Sequence, residues 1–127
     1  MYVQAAPEAT QTHVWCVPLD GRPERFRRLT EGAGRWSAEF SEDGSAAVLT
    51  GSLLDGSLVR RVVRVGESGV ETVATLPSVA EEPGFDVNME LTQVRLNRRV
   101  HDAVIIRPRV FDAGKKCPVI TSVYAGP

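Results

Sequence analysis

The sequence predicts a mainly β protein on three observations: short β-prone stretches broken by turn chemistry, almost no helical periodicity, and a weak internal repeat of about 45 residues. A chain of 127 residues is long enough for one small domain. Its 43% hydrophobic and 24% charged content is that of an ordinary globular protein, which excludes a disordered chain.

The first strand is Tyr2 to Ala6, and Thr12 to Val17 alternates apolar with polar side chains as a half-buried strand does. Pro18 removes a ladder donor and ends that strand or confines it to an edge. Leu19-Asp20-Gly21-Arg22-Pro23 supplies turn residues, after which Phe26 to Thr30 pairs back as the next strand. Trp36 to Phe40 alternates again, Ser41-Glu42-Asp43-Gly44 turns the chain through an Asp-Gly pair, and Ser45 to Gly51 continues as a strand. Leu58 to Val65 turns at Gly66-Glu67-Ser68-Gly69 and returns as Val70 to Leu76.

Tyr2 to Thr30 and Ala46 to Leu76 are the two copies of the repeat. Each is a short strand, a loop, a longer strand, a Gly-containing turn and a closing strand. Their spacing is near the length of a four-stranded propeller blade, so residues 1–76 read as about two antiparallel blades. After Leu76 the texture changes. Ser78 stands three residues before Glu81, the capping-box spacing, and Pro83-Gly84 follows, so a short helical turn is expected in a linker over 77–89. Three β-prone runs without the blade period come next: Glu90 to Leu96, Ala103 to Arg107 and Pro118 to Tyr124.

The 15 basic and 16 acidic side chains nearly cancel, and no tail collects one sign, so nothing marks a nucleic-acid or anionic-membrane partner. No apolar run approaches the length of a membrane span, and Met1-Tyr2-Val3-Gln4-Ala5 lacks the regions of a signal peptide; the compartment stays open. Cys16 and Cys117 fit neither a disulfide framework nor the paired spacings of a zinc site, and no cofactor or metal is expected.

Several stretches carry a family resemblance. His13 to Gly21 is similar to a His-Leu-Tyr strand that runs into an Asp-Gly turn, Arg28-Leu29-Thr30 to the closing of a blade, and Trp36 to Gly44 to the opening of the next. At the C-terminal side stand Arg107-Pro108-Arg109-Val110-Phe111-Asp112, then Lys115-Lys116-Cys117-Pro118-Val119-Ile120, then Val123-Tyr124-Ala125-Gly126-Pro127. In this order they resemble the end of the propeller and the start of the α/β-hydrolase domain in the dipeptidyl peptidase IV branch of the prolyl oligopeptidase family of serine peptidases. The resemblance makes 1–76 the last propeller blades and 90–127 the first strands of a truncated hydrolase domain. Two departures are visible: Cys117 replaces an aromatic residue, and Asn97-Arg98-Arg99 stands where an Asp-Gly turn is common. The second leaves open how tightly that hairpin turns, Asn97 being the residue there that tolerates a left-handed conformation.

Acyl transfer in this family needs a serine on a sharp strand-to-helix turn, a histidine base, an orienting acid and oxyanion donors. The chain contains no Gly-x-Ser-x-Gly, and Gly66-Glu67-Ser68-Gly69 reads as a hairpin turn. The resemblance places serine, aspartate and histidine outside this chain, so no peptide hydrolysis is expected of it alone. It aligns one catalytic residue, Tyr124, with the tyrosine whose hydroxyl donates to the oxyanion. The implied activity of the parent is removal of dipeptides from peptide amino termini after Pro or Ala, possible homodimerisation included. The alternatives are a non-enzymatic propeller module and a catalytically dead relative.

The other chemistry-bearing residues read as structural. His13 and His101 have no ligand-spaced neighbours, Trp15 and Trp36 suit sheet packing, and Cys117 suits a buried inert thiol. Arg60-Arg61, Arg98-Arg99 and Lys115-Lys116 suit solvated faces and strand edges. Two blades cannot close a ring and a few hydrolase strands cannot cover their own sheet, so the isolated chain is expected to self-associate.

Overall fold

The alternation of apolar and polar residues that the sequence carries from Gly34 to Thr75 becomes an antiparallel meander of four strands. In the computed structural model, which describes residues 1–81, 84–85 and 87–123, these are β4 (Gly34–Phe40), β5 (Ala46–Leu53), β6 (Leu58–Gly66) and β7 (Gly69–Thr75). Ahead of them lie β1 (Tyr2–Glu8), β2 (Gln11–Cys16) and β3 (Arg27–Arg28), and after them β8 (Met89–Leu96) and β9 (Arg99–Ile106). The protein is mainly β, with antiparallel and mixed sheets, and no α-helix forms among the described residues.

β1 pairs antiparallel with β2, and β2 divides its other edge. Near its end it pairs antiparallel with β3, and near its start it meets β4 in parallel through Thr12 and Arg35. The order is therefore β1-β2-β4-β5-β6-β7 with β3 beside β2, while β8 and β9 form a separate two-stranded sheet.

Strand alternation selects the core. On β5 every second residue from Ala47 to Gly51 is buried, and Val14, Leu29, Trp36, Ala47, Leu49 and Val63 form the buried cluster. Trp36 is its largest member, and covering roughly 200 Å² of indole contributes on the order of a few kcal/mol. Tyr2 ties the first strand to this core: its ring stacks on Phe40 at 3.9 Å between centroids, and its hydroxyl donates to Gly44 O at 3.0 Å.

The turns follow side-chain chemistry. Asp43 accepts from Ser41 Oγ at 2.7 Å and from the Ser45 N–H at 3.0 Å, which closes the β4–β5 turn. Asp55 does the same for β5–β6 by accepting from the Ser57 N–H at 2.8 Å and Ser57 Oγ at 2.6 Å. Arg27 reaches from β3 to the β6–β7 turn, where its guanidinium donates to Gly66 O at 2.7 Å and also to Glu67 O.

Three expectations are corrected. Phe26 to Thr30 pairs as a strand only over Arg27–Arg28, because Pro23–Arg25 forms a 3-10 turn and Leu29 and Thr30 bend into the core. No helical turn forms over 77–81; Ser78 Oγ accepts from the Ala80 N–H at 3.2 Å in a local turn, and Val79 is fully exposed, so no apolar face holds a helix there. Residues 118–123 form no strand either, since an apolar run of that kind needs a neighbour on each side and no described strand supplies one.

Candidate functional site

Tyr124, the catalytic candidate, lies outside the described residues, as do Ala125, Gly126 and Pro127. The stretch that leads to it is described. β8 and β9 pair in register from Met89↔Ile106 to Leu96↔Arg99, so the chain reverses through two residues, Asn97 and Arg98. Their φ values are 48° and 67°, the left-handed pair of a type I′ turn, whose twist matches that of the flanking strands. The hairpin thus turns as tightly as an Asp-Gly pair would allow, with Arg98 in a conformation that costs a side chain with a Cβ.

Beyond β9 the chain is steered by pairs of charges and rings. Arg107 N donates to Asn88 O at 2.8 Å, and its guanidinium meets Glu90 Oε2 at 2.5 Å and lies over the Phe111 ring at 5.3 Å. Arg109 lies over Phe85 at 5.4 Å. Asp112 closes the next turn by accepting from the Gly114 N–H at 2.9 Å, while the Lys115 N–H donates to Asp112 O at 3.1 Å. The residues that carry the family resemblance from Arg107 to Lys115 are therefore shaped by two ion pairs, Arg107 with Glu90 and Lys115 with Asp112 at 3.6 Å, two cation–ring contacts and an aspartate turn.

The remaining residues weighed from the sequence are dispersed. His101 is exposed on β9 opposite Val94, whereas His13 is 1% exposed on β2 opposite Ala5 of β1 and bonded on both ring nitrogens. Burial, aided by Arg28 and opposed by Glu8, holds the His13 pKa below its usual 6.5. Trp36 is a core residue whose Nε1 donates to Gly32 O at 2.9 Å, while the half-buried Trp15 has an indole N–H with no partner. Arg60, Arg98, Arg99, Lys115 and Lys116 are exposed and Arg61 is half-buried. Cys117 is exposed, which corrects the expectation of a buried thiol: the segment around it packs against nothing described.

Two open grooves mark the sheet. One of about 360 Å³ is lined by Gln4, Thr12, Arg35, Trp36, Ser37, Thr50 and Ser52, and one of about 260 Å³ by Tyr2, Val3, Gln4, Val14, Ser37, Ala38 and Phe40. Neither lining contains a histidine or a carboxylate, so neither pairs a serine with a base for nucleophilic catalysis. Among the described residues no three His, Cys, Asp or Glu side chains gather as metal ligands, and no helix is long and apolar enough to cross a membrane.

The sequence missed the polar chain that encloses His13. Gln11, two residues away on the same strand, is its local signal, but Thr30 is distant in sequence and had none. Comparison with known proteins finds no matching protein family, no matching curated protein and no matching solved structure.

Proposed function

We propose that this chain is a segment of a serine-type dipeptidyl aminopeptidase resembling the dipeptidyl peptidase IV branch, covering the last blades of its β-propeller and the first strands of its α/β-hydrolase domain. The observation that supports this reading is a coincidence of order. The stretch Trp36 to Gly44 that looks like a blade opening lies in the first strand and turn of the four-stranded meander, and Arg28-Leu29-Thr30 closes the strands before it. The hydrolase-like run from Arg107 follows a hairpin that stands apart from that sheet.

In the parent, the propeller limits access to the site and the hydrolase domain carries out acylation and deacylation of a peptide bond after Pro or Ala. Tyr124 is assigned as an oxyanion donor, a role in which a phenol stabilises charge that develops only in the transition state. The triad is supplied from outside this chain, which is therefore inactive alone.

The test is release of the chromophore from a Gly-Pro amide by this chain and by one extended through the downstream sequence. Activity confined to the longer protein supports the peptidase. Silence in both, with the longer protein folded, favours a propeller module or a dead relative.

A further inference from the structure

We propose that His13 is an acid-operated latch, joining β1, β2 and the Leu29–Thr30 segment while its ring is neutral and releasing them when the ring takes a second proton. This inference does not depend on the peptidase reading.

Hydrogen-bond direction fixes the state of the ring. The carboxylate of Glu8 can only accept, so Gln11 presents its NH₂ to it, at 2.6 Å from Nε2 to Glu8 Oε2. That orientation turns the Gln11 Oε1 acceptor toward His13 Nε2 at 3.1 Å, and the proton of the neutral ring therefore sits on Nε2. His13 Nδ1 is then an acceptor, to which Thr30 Oγ1 donates across 3.0 Å. The Thr30 oxygen in turn accepts from the Val14 N–H at 3.2 Å. Every donor and acceptor in the chain points one way, and β1, β2 and the segment after β3 each contribute a member.

A second proton reverses one link. Once Nδ1 carries a proton it faces the Thr30 O–H, donor against donor. If Thr30 keeps its rotamer the ring proton is stranded; if the hydroxyl rotates to accept from Nδ1, the bond it donated to the ring is lost and its proton must find another acceptor. Thr30 and His13 are each 1% exposed, so either outcome disturbs a buried hydrogen bond beside a buried charge.

The surrounding charges are few. Arg28 on β3 opposes the second proton, and Glu8 on β1 favours it through the intervening Gln11. On β4, Arg35 pairs with Thr12, whose side chain lies on the opposite face of β2 from His13. Glu31, next to Thr30, is exposed. The sign follows from these groups: the unfolded ring titrates near its ordinary 6.5 and the folded ring below it. In the window between, the unfolded chain holds more protons, so the latch is fully effective above that range and loses effect as pH falls through it.

The test is urea unfolding of the whole chain at micromolar concentration, read by tryptophan fluorescence, across the histidine range. The wild-type folding constant is expected to be flat above about pH 6.5 and to fall below it by at most about tenfold per pH unit, the ceiling for one linked proton. His101→Gln should keep that fall and His13→Gln should lack it. Retention of the fall in His13→Gln, or its loss in His101→Gln, overturns the proposal. Should His13→Gln not fold, amide exchange of the unaltered chain decides, after correction for intrinsic rates. Loss of protection at acid pH confined to residues 2–8 and 27–30 supports the latch, and a uniform loss across β4–β7 overturns it.

Discussion

Trp36 and Gly51 are register partners on β4 and β5, and a Cβ at Gly51 would stand 2.8 Å from three atoms of the indole ring. The ring has little freedom to withdraw, because it is 2% exposed and its Nε1 is committed to Gly32 O. Gly51→Ala is therefore expected to destabilise the protein by about 1–3 kcal/mol, the usual scale of overpacking. The same substitution should cost clearly less in a Trp36→Leu background, since the two sites are coupled through one contact. Urea unfolding of the four proteins measures this, and an equal cost in both backgrounds would contradict the contact.

Legibility in the sequence followed the range of the interaction. The strands from Trp36 to Thr75 could be read because alternation and the Asp43-Gly44 turn are local signals, and the same alternation assigned Trp36 to packing. The parallel contact of Thr12 with Arg35 and the stacking of Tyr2 on Phe40 join distant segments and leave no periodic trace. Local signals also misled where tertiary support was missing. Ser78 and Glu81 have capping-box spacing, yet Val79 has nothing to pack against; Val119 and Ile120 form an apolar β-prone run with no described strand beside them. Of the stretch from Arg107 to Lys115, the Asp112 turn has a local signal in the nearby Gly114, whereas the contacts of Arg107 with Glu90 and of Arg109 with Phe85 join residues distant in sequence and have none.

Acid should act on the β4–β5 turn separately from His13. Hydrogen bonds from Ser41 Oγ and from the N–H and hydroxyl of Ser45 hold the Asp43 pKa at about 2, below its ordinary 3.8. A carboxyl depressed in the folded state contributes stability above the unfolded value, and that contribution is lost as pH falls from about 3.8 through about 2. Asp43→Asn should flatten this acid limb while leaving the histidine range unchanged. Equilibrium unfolding in acidic buffers reads the difference, and an unaltered limb would reassign it to other carboxyls.

The left-handed Arg98 offers a gain in stability. Its φ of 67° is one that glycine adopts freely, and nothing polar in the described structure engages its side chain. Arg98→Gly is expected to stabilise the β8–β9 hairpin by roughly 0.5–1 kcal/mol, the relief of the Cβ clash less the extra freedom of glycine in the unfolded chain. Amide exchange within Met89–Ile106 should slow in the variant. Unchanged or faster exchange there would mean that the turn does not hold this conformation in solution.

If the chain belongs to the proposed peptidase, Tyr124→Phe in that longer enzyme should lower kcat by about a hundredfold to a thousandfold, the cost of one oxyanion donor, with a much smaller change in KM. The split matters more than the size, because a tyrosine that only packs at a strand end would alter stability and leave turnover per folded enzyme intact. An unchanged kcat would remove Tyr124 from the site.

Every buried residue described lies between His13 and Val63, so the core belongs to the first 76 residues, where the Leu76 N–H still donates to Arg60 O at 2.9 Å. The C-terminal side has the reverse character: Val100, Val104 and Ile106 on β9 are more than half exposed, and Val119 and Ile120 are 85% and 97% exposed. Apolar side chains held on an open two-stranded sheet favour association with whatever apolar surface is available, including a second copy of the chain. The whole chain is therefore expected to sediment as concentration-dependent oligomers, while a chain of residues 1–76 stays smaller and keeps a cooperative unfolding transition. If both sediment as monomers at the same concentration, the C-terminal apolar residues are not what drives association; if the shorter chain is unfolded, the core does not suffice without them.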